Sequence, residues 1–167
     1  MRSGWSRRSM MSSRRPGGSD SVEAGGRSGQ FKLRVLTPMG EVLNTSAVAL
    51  RVEAWDGQLG VLARHAPMVA RLRIGSAVVT EPGGNKRWLA TVQGLLRVKE
   101  DEVVMLVRAA EEAEDIDVER AQRALERAER RLGTRETETD LARAESALAR
   151  ASTRLKVAEQ IGVTVPR

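Results

Sequence analysis

Apolar and polar positions begin to alternate at Phe31. In FKLRVLT, Phe31, Leu33 and Val35 point one way and Lys32 and Arg34 the other, the period of a half-buried strand. Pro38-Met39-Gly40-Glu41 then reads as a turn. AVALRVEAW (47–55) alternates again, with Val48, Leu50 and Val52 on one face. Asp56-Gly57 is a turn signal ahead of the apolar run from Leu59 to Leu62. SAVVTE ends at the cluster Pro82-Gly83-Gly84-Asn85, and RWLATV, GLLRV and VVMLV follow, broken at Gln93-Gly94 and at Lys99-Glu100-Asp101. Short strands with closely spaced turns predict an all-β sandwich or flattened barrel over about residues 31–110.

Beyond Ala109 the period changes from two to three and four. Val118, Ala121, Leu125, Ala128 and Leu132 form one stripe; Leu141, Ala144, Leu148, Ala151, Leu155 and Ala158 form a second. Two amphipathic helices are expected. Asp117 suits the N-cap of the first, Gly133 a left-handed residue closing it, and Thr137 with Asp140 a capping box for the second. The link is short, so the helices should lie antiparallel. The fold class is therefore α+β: a sandwich, a helical hairpin over residues 111–161 and a tail at 162–167. The seam is rich in alanine, which buries little apolar surface at ~25 cal/mol per Å², so the two helices hold each other weakly; such a hairpin can leave its docking site or open, and many alanine-rich hairpins are static.

Charge alters the picture little. The chain has 167 residues, a net charge of +6 and no cysteine, which excludes disulfides and thiolate chemistry. Residues 1–30 hold six arginines against Asp20 and Glu23, so +4 of the charge lies in an Arg/Ser/Gly-rich extension expected to be disordered. The remainder is nearly balanced and poor in aromatics, which argues against a nucleic-acid binder. The extension has no signal-peptide apolar run; its composition also describes a transit peptide, and Met10 or Met11 could be later starts. No stretch approaches the ~18 apolar residues of a membrane span.

Catalytic and metal chemistry find little footing. His65 is the single histidine, and no nucleophile or orienting acid stands at a diagnostic spacing. A metal at His65 would have to rely on carboxylates such as Asp56. The structural alternative is a turn: the imidazole bonds loop backbone while Pro67 fixes the chain direction. Gly83-Gly84-Asn85-Lys86 lacks phosphate-loop spacing and reads as a hairpin turn.

Four segments taken together carry a resemblance: DGQLGVLARHAPMVA (56–70), Leu72-Arg73-Ile74-Gly75, GLLRVKEDEVVMLV (94–107) and IDVERAQRALERAERRL (116–132). Over about residues 31–161 the chain resembles the epsilon subunit family of bacterial F-type ATP synthases. It departs from many members at Gln58, at Ala63-Arg64 before His65, and at Gln93-Gly94. The resemblance implies a non-catalytic central-stalk subunit that links gamma to the c-ring during proton-driven rotation. Such a subunit is peripheral, on the cytoplasmic face of the bacterial inner membrane rather than in an organelle. Asp56, Gln58, Arg64, His65, Pro67 and Met68 would contact the c-ring or gamma. The hairpin would either fold against the sandwich or extend into the alpha/beta catalytic head, presenting Arg123, Arg130 and Arg131, and block ATP hydrolysis.

The resemblance also implies a regulatory ligand, with no cofactor required. Some members bind ATP through an I-D-x-x-R-A motif, matched here by Ile116, Asp117, Arg120 and Ala121, with Glu111 upstream. Arg127 shares a helix face with Arg120, and Arg150 shares one with Arg154. Folding the hairpin would gather these guanidiniums around a triphosphate. Solvated i,i+4 pairs on a charged helix are the plainer explanation of the same arginines. The rival class for the whole chain is a generic sandwich-plus-hairpin interaction module.

Overall fold

A computed structural model describes residues 29–134 and 138–163. Nine strands come first: β1 Phe31–Thr37, β2 Gly40–Ala47, β3 Ala49–Ala54, β4 Gly57–Leu62, β5 Met68–Thr80, β6 Lys86–Thr91, β7 Gly94–Lys99, β8 Glu102–Val107 and β9 Ala110–Glu112. A 3₁₀ turn, Ala113–Asp115, leads to helices α1 Val118–Gly133 and α2 Glu138–Glu159. The fold class is the expected one. Two strands escaped the pattern: β2, GEVLNTSA, buries only Leu43 and Ala47 and carries polar residues between them, and the short β9 occupies the start of the segment expected to be helical hairpin.

The sheet runs β2-β1-β8-β7-β5-β3-β4, with β6 and β9 branching from β5. β1 pairs parallel to β8, and the other pairs are antiparallel. The branch arises because β5 is thirteen residues long. Its first part, Met68–Leu72, pairs with β7; its second part, Gly75–Thr80, pairs with β6. The ribbon of β7 and β8 likewise continues into β6 and β9. Val92 N–H donates to the Ala109 carbonyl at 2.8 Å and Arg108 N–H to the Gln93 carbonyl at 3.2 Å. Three antiparallel segments thus pass together from one layer of the sandwich to the other. Phe31, Leu33, Val35, Leu50, Val52, Val61, Val79, Leu89, Leu96 and Met105 fill the space between the layers.

Glycine permits the corner. A Cβ on Gly94 would overlap the Leu106 carbonyl oxygen and stand 2.7 Å from Val107 Cα. A Cβ on Gly75 would press into the stem of Glu53. Thr91, the one buried polar side chain among the described residues, sits at the same bend and donates its hydroxyl to the Gly75 carbonyl at 2.9 Å. That bond gives the buried hydroxyl its partner. Over Gly75, Glu53 accepts hydrogen bonds from Arg73 at 3.0 Å and Gln58 at 3.2 Å.

On the second layer both faces of the sheet are covered. Ala77 and Val79 face the sandwich interior, whereas Val78 is buried without joining that cluster. A strand covered on both sides reads as a continuous apolar run, which is why SAVV lacks alternation. The outer cover is α2. Val157 and Ala158 pack on Ala90 and Trp88 of β6, joined by Ala113 and Ile116 from the connection and Val118 at the start of α1. The two helices meet along Ala121 and Ala128 of α1 and Ala144, Ala151 and Leu155 of α2, all buried.

The ends of α1 differ in how far they match expectation. Asp117 caps it, accepting from the Arg120 N–H at 2.9 Å. Gly133 does not close it in a left-handed conformation; it is the last helical residue, and Thr134, with φ −88°, is the cap. The Thr134 hydroxyl bonds the Arg131 carbonyl at 3.0 Å, so a side chain satisfies an end group that a glycine turn was expected to serve. Thr137, expected in a capping box, lies outside the described residues, as do 1–28 and 164–167.

Two outcomes test this corner. G94A should destabilise the protein by about 3 kcal/mol in urea unfolding, since overpacking against backbone has no flexible neighbour to yield; an unchanged midpoint would contradict the close approach. The Glu53 carboxyl is held below its ordinary value of 4.5, first by Arg73 and then by Gln58. A lowered folded-state pKa contributes stability above the unfolded value, lost as pH falls through the folded one. R73Q should therefore be less stable than wild type near neutrality, with the gap shrinking as pH drops below about 4.5. A gap independent of pH would exclude this pairing as its source.

Candidate functional site

The segment 56–68 forms an ordered loop and edge strand. Gly57 takes φ +133° to turn β3 into β4. After β4, Arg64 takes φ +63°, uncommon for a residue with a side chain. The turn is closed by the His65 N–H donating to the Leu62 carbonyl at 3.1 Å. His65 Nδ1 lies 2.9 Å from the Ala66 carbonyl, which can only accept, so the ring nitrogen donates. This is a turn histidine: it makes no ion pair with a carboxylate among the described residues. Asp56, Gln58, Arg64 and Pro67 are exposed, while Met68 packs against the core. Gln58 is spent on Glu53, which explains how an amide serves at this position.

Next to this loop the sheet exposes Trp55, with Arg71 stacked 4.8 Å from its ring centroid. The cross-strand row continues through Leu95 and Leu106, both exposed. Periodicity could have shown these residues pointing away from the core. It could not have shown that they lie side by side.

The second constellation lies where α1 and α2 meet β9. In β9, Glu112 receives the forked guanidinium of Arg87, Nε at 3.0 Å and Nη2 at 2.7 Å, and thereby fastens β9 to β6. The neighbouring Glu111 is paired in register with Ala90, whose side chain faces the hairpin. From that face Glu111 accepts a 2.6 Å bond from Arg154 Nε of α2, across forty-three residues of chain. Glu111, Asp117, Arg120, Ala121, Ala124, Arg127 and Arg154 line one cavity of about 260 Å³. Arg150 is not with them. It lines a second cavity of about 290 Å³ with Thr91, Val92, Ala110 and Thr153, and Glu111 and Arg154 border that one as well. Ile116 lines neither; it is buried in the contact between connection and sandwich.

Six of the eight residues singled out for nucleotide binding therefore surround one cavity, with three guanidiniums among them. Asp117 is committed to the helix cap and Arg154 to Glu111. Guanidinium forks match phosphate oxygens in pairs, so the chemistry of the cavity suits a polyanion. No group of three or more His, Cys, Asp or Glu side chains among the described residues is placed to hold a metal. No described helix is long and apolar enough to cross a membrane.

Comparison with known proteins agrees with this architecture at both ends. Residues 30–113 match the family described as ATP synthase, Delta/Epsilon chain, beta-sandwich domain, and residues 114–159 match its long alpha-helix domain. The ATP synthase epsilon chain of Anoxybacillus flavithermus is 47% identical over 106 residues, covering 64% of this chain and 78% of the relative. That of Macrococcus caseolyticus is 41% identical over 104 residues, 62% and 76% of the two chains. Among solved structures, a chain of the Euglena gracilis mitochondrial ATP synthase (OSCP/F1/c-ring) superposes with a TM-score of 0.70. It is 25% identical, and the match covers 93% of this chain and 99% of that one. Carrying the sandwich and the long helices in the same order, this chain belongs to the ATP synthase delta/epsilon chain family.

Proposed function

We propose that the chain is a non-catalytic subunit of the central stalk of a proton-translocating ATP synthase. The sandwich grips gamma and rests on the c-ring, so that it turns with the rotor. The complex places the chain at the cytoplasmic face of a bacterial inner membrane, held there by its partners. The hairpin is a brake on ATP hydrolysis: docked on the sandwich it is off, and extended into the alpha/beta head it is on. ATP bound at the arginine-lined cavity favours the docked form through its higher affinity for that form.

The observation that carries this reading is the contrast between two apolar contacts. Eighteen buried residues hold the sandwich together, whereas five join the hairpin connection and α2 to it, three of them alanine. At ~25 cal/mol per Å² a contact of five residues, with Ile116, Val157 and the adjoining Trp88 as its large members, stabilises far less than the core of eighteen, so the hairpin can leave without unfolding the sandwich. Once released, α1 retains the Glu119–Arg123 pair and places Arg130 and Arg131 in its last turn, where cations suit the helix dipole.

Removing residues from 117 onward should leave assembly with gamma and the c-ring intact and raise ATP hydrolysis by the complex several-fold. Unchanged hydrolysis would remove the brake. The full chain, titrated with ATP in a calorimeter, should bind it at or below millimolar concentration and release no phosphate. Silence at millimolar ATP would remove the regulatory ligand while leaving the stalk role standing.

A further inference from the structure

α2 leaves part of the sheet bare. It packs on Trp88 and Ala90 of β6, whereas across the bend Trp55 and Leu95 stand exposed. A cavity of about 1060 Å³ runs between the two, with the sandwich on one wall and α2 on the other. Small-molecule sites span roughly 300–1,000 Å³, so this one lies beyond their upper end. Its volume is that of about two turns of an α-helix roughly 10–12 Å across, which suits a segment of polypeptide. α2 offers the cavity Ser146, Ala149 and Thr153, three and four residues apart. Side chains this small let a second helix approach at the close end of the usual interaxial range, about 8–10 Å.

The cleft is also cationic. Arg71, Arg73, Arg108 and Lys156 line it against Glu53 and Glu145. Glu53 is already engaged by Arg73 and Gln58. Arg108, from the sandwich, and Lys156, from α2, are exposed and make no ion pair among the described residues. We propose that this cleft is the docking site of an acidic amphipathic helix from another protein. The apolar face of that helix lies on Trp55, Ile74 and Leu95, and its carboxylates meet Arg108 and Lys156. Lying beside α2, it extends the helical layer over the bare part of the sheet, the ordinary way in which an apolar sheet face is buried.

One wall of the site is α2, so the site exists only while the hairpin is docked. A helix bound there touches both halves of the chain and favours the docked form by its differential affinity. The position of the hairpin thereby responds to a protein partner, at a place that shares no lining residue with the cavity around Arg120 and Arg127. The inference depends neither on nucleotide binding nor on the hairpin acting as a brake.

The chain has no cysteine, so A149C places a single thiol in the cleft, at an exposed position. With a benzophenone on that thiol, the full chain assembled in the membrane-bound ATP synthase should photo-cross-link to one segment of another subunit. Mass spectrometry should map the link to a helix with an excess of Asp and Glu and apolar residues three and four apart. R108E/K156E should cut the yield about three- to tenfold, the loss expected for two exposed ion pairs. R108K/K156R should retain it, and R143E, exposed on α2 outside the cleft, should leave it unchanged. The mapped segment, made as a peptide and added to the full chain, should slow hydrogen exchange in α2 several-fold. The proposal is overturned by no cross-link, by a link within the chain or to a second copy of it, or by a link to a neutral or basic segment. A yield indifferent to R108E/K156E overturns it equally, and unchanged exchange in α2 removes the coupling to the hairpin.

Discussion

Everything in this molecule follows from a bend. β5 and the ribbon that pairs with it must cross together from one layer of the sandwich to the other, and they can do so only where backbones come close enough to exclude a side chain. Gly94 lies against the Leu106 carbonyl and Gly75 beneath the stem of Glu53, with the Thr91 hydroxyl tied to the Gly75 carbonyl between them. Strands that cross between layers need such corners, and glycine inside a strand marks them. The bend carries β6 and β9 to the far layer. There Ala90 and Trp88 form the apolar patch on which α2 rests, and Glu111 is aimed at the hairpin. Without the corner there is no docking site and no arginine cavity.

The hairpin is attached in a different currency from the sandwich. The sandwich closes around large side chains in a contiguous core, and interiors of that kind resist partial opening. The hairpin sits on a smaller patch, in which Ala90, Ala113 and Ala158 accompany Ile116, Val157 and Trp88, supplemented by the Glu111–Arg154 bond. Its own helices are sixteen and twenty-two residues long, enough for marginal helicity if the seam between them persists. A domain built this way has a rigid half suited to transmitting torque and a half whose position is set by small energies.

Much of the sandwich was legible in period-two alternation: β1 and β3 fall where Leu33 and Val35, and Leu50 and Val52, alternate with Arg34 and with Arg51, and β7 where Leu96 and Val98 flank Arg97. β2 was not, because its inward positions are spaced by Asn44, Thr45 and Ser46 and only two of them are fully buried. The length of β5 was hidden by Arg71 and Arg73, which point outward before the bend, and by Val78, which is buried after it without joining the interior cluster. At the candidate site, helical spacing put Arg120 with Arg127 and Arg150 with Arg154, and each pair does share a cavity or a helix face. No spacing rule could reveal that Glu111 meets Arg154. Its partner is forty-three residues away, and the contact exists only because β9 pairs with β6.

The central claim is that sandwich and hairpin are held by forces of different size, so that one can move while the other keeps its shape. Native-state hydrogen exchange of the full chain at increasing, sub-denaturing urea measures this directly, residue by residue. Amides of α1 and α2 should open at a distinctly lower free energy than those of Leu33, Leu50, Val79 and Met105, before any of the sandwich is exposed. One common opening free energy for helices and core strands would mean a single cooperative unit, and the separable hairpin would have to be abandoned.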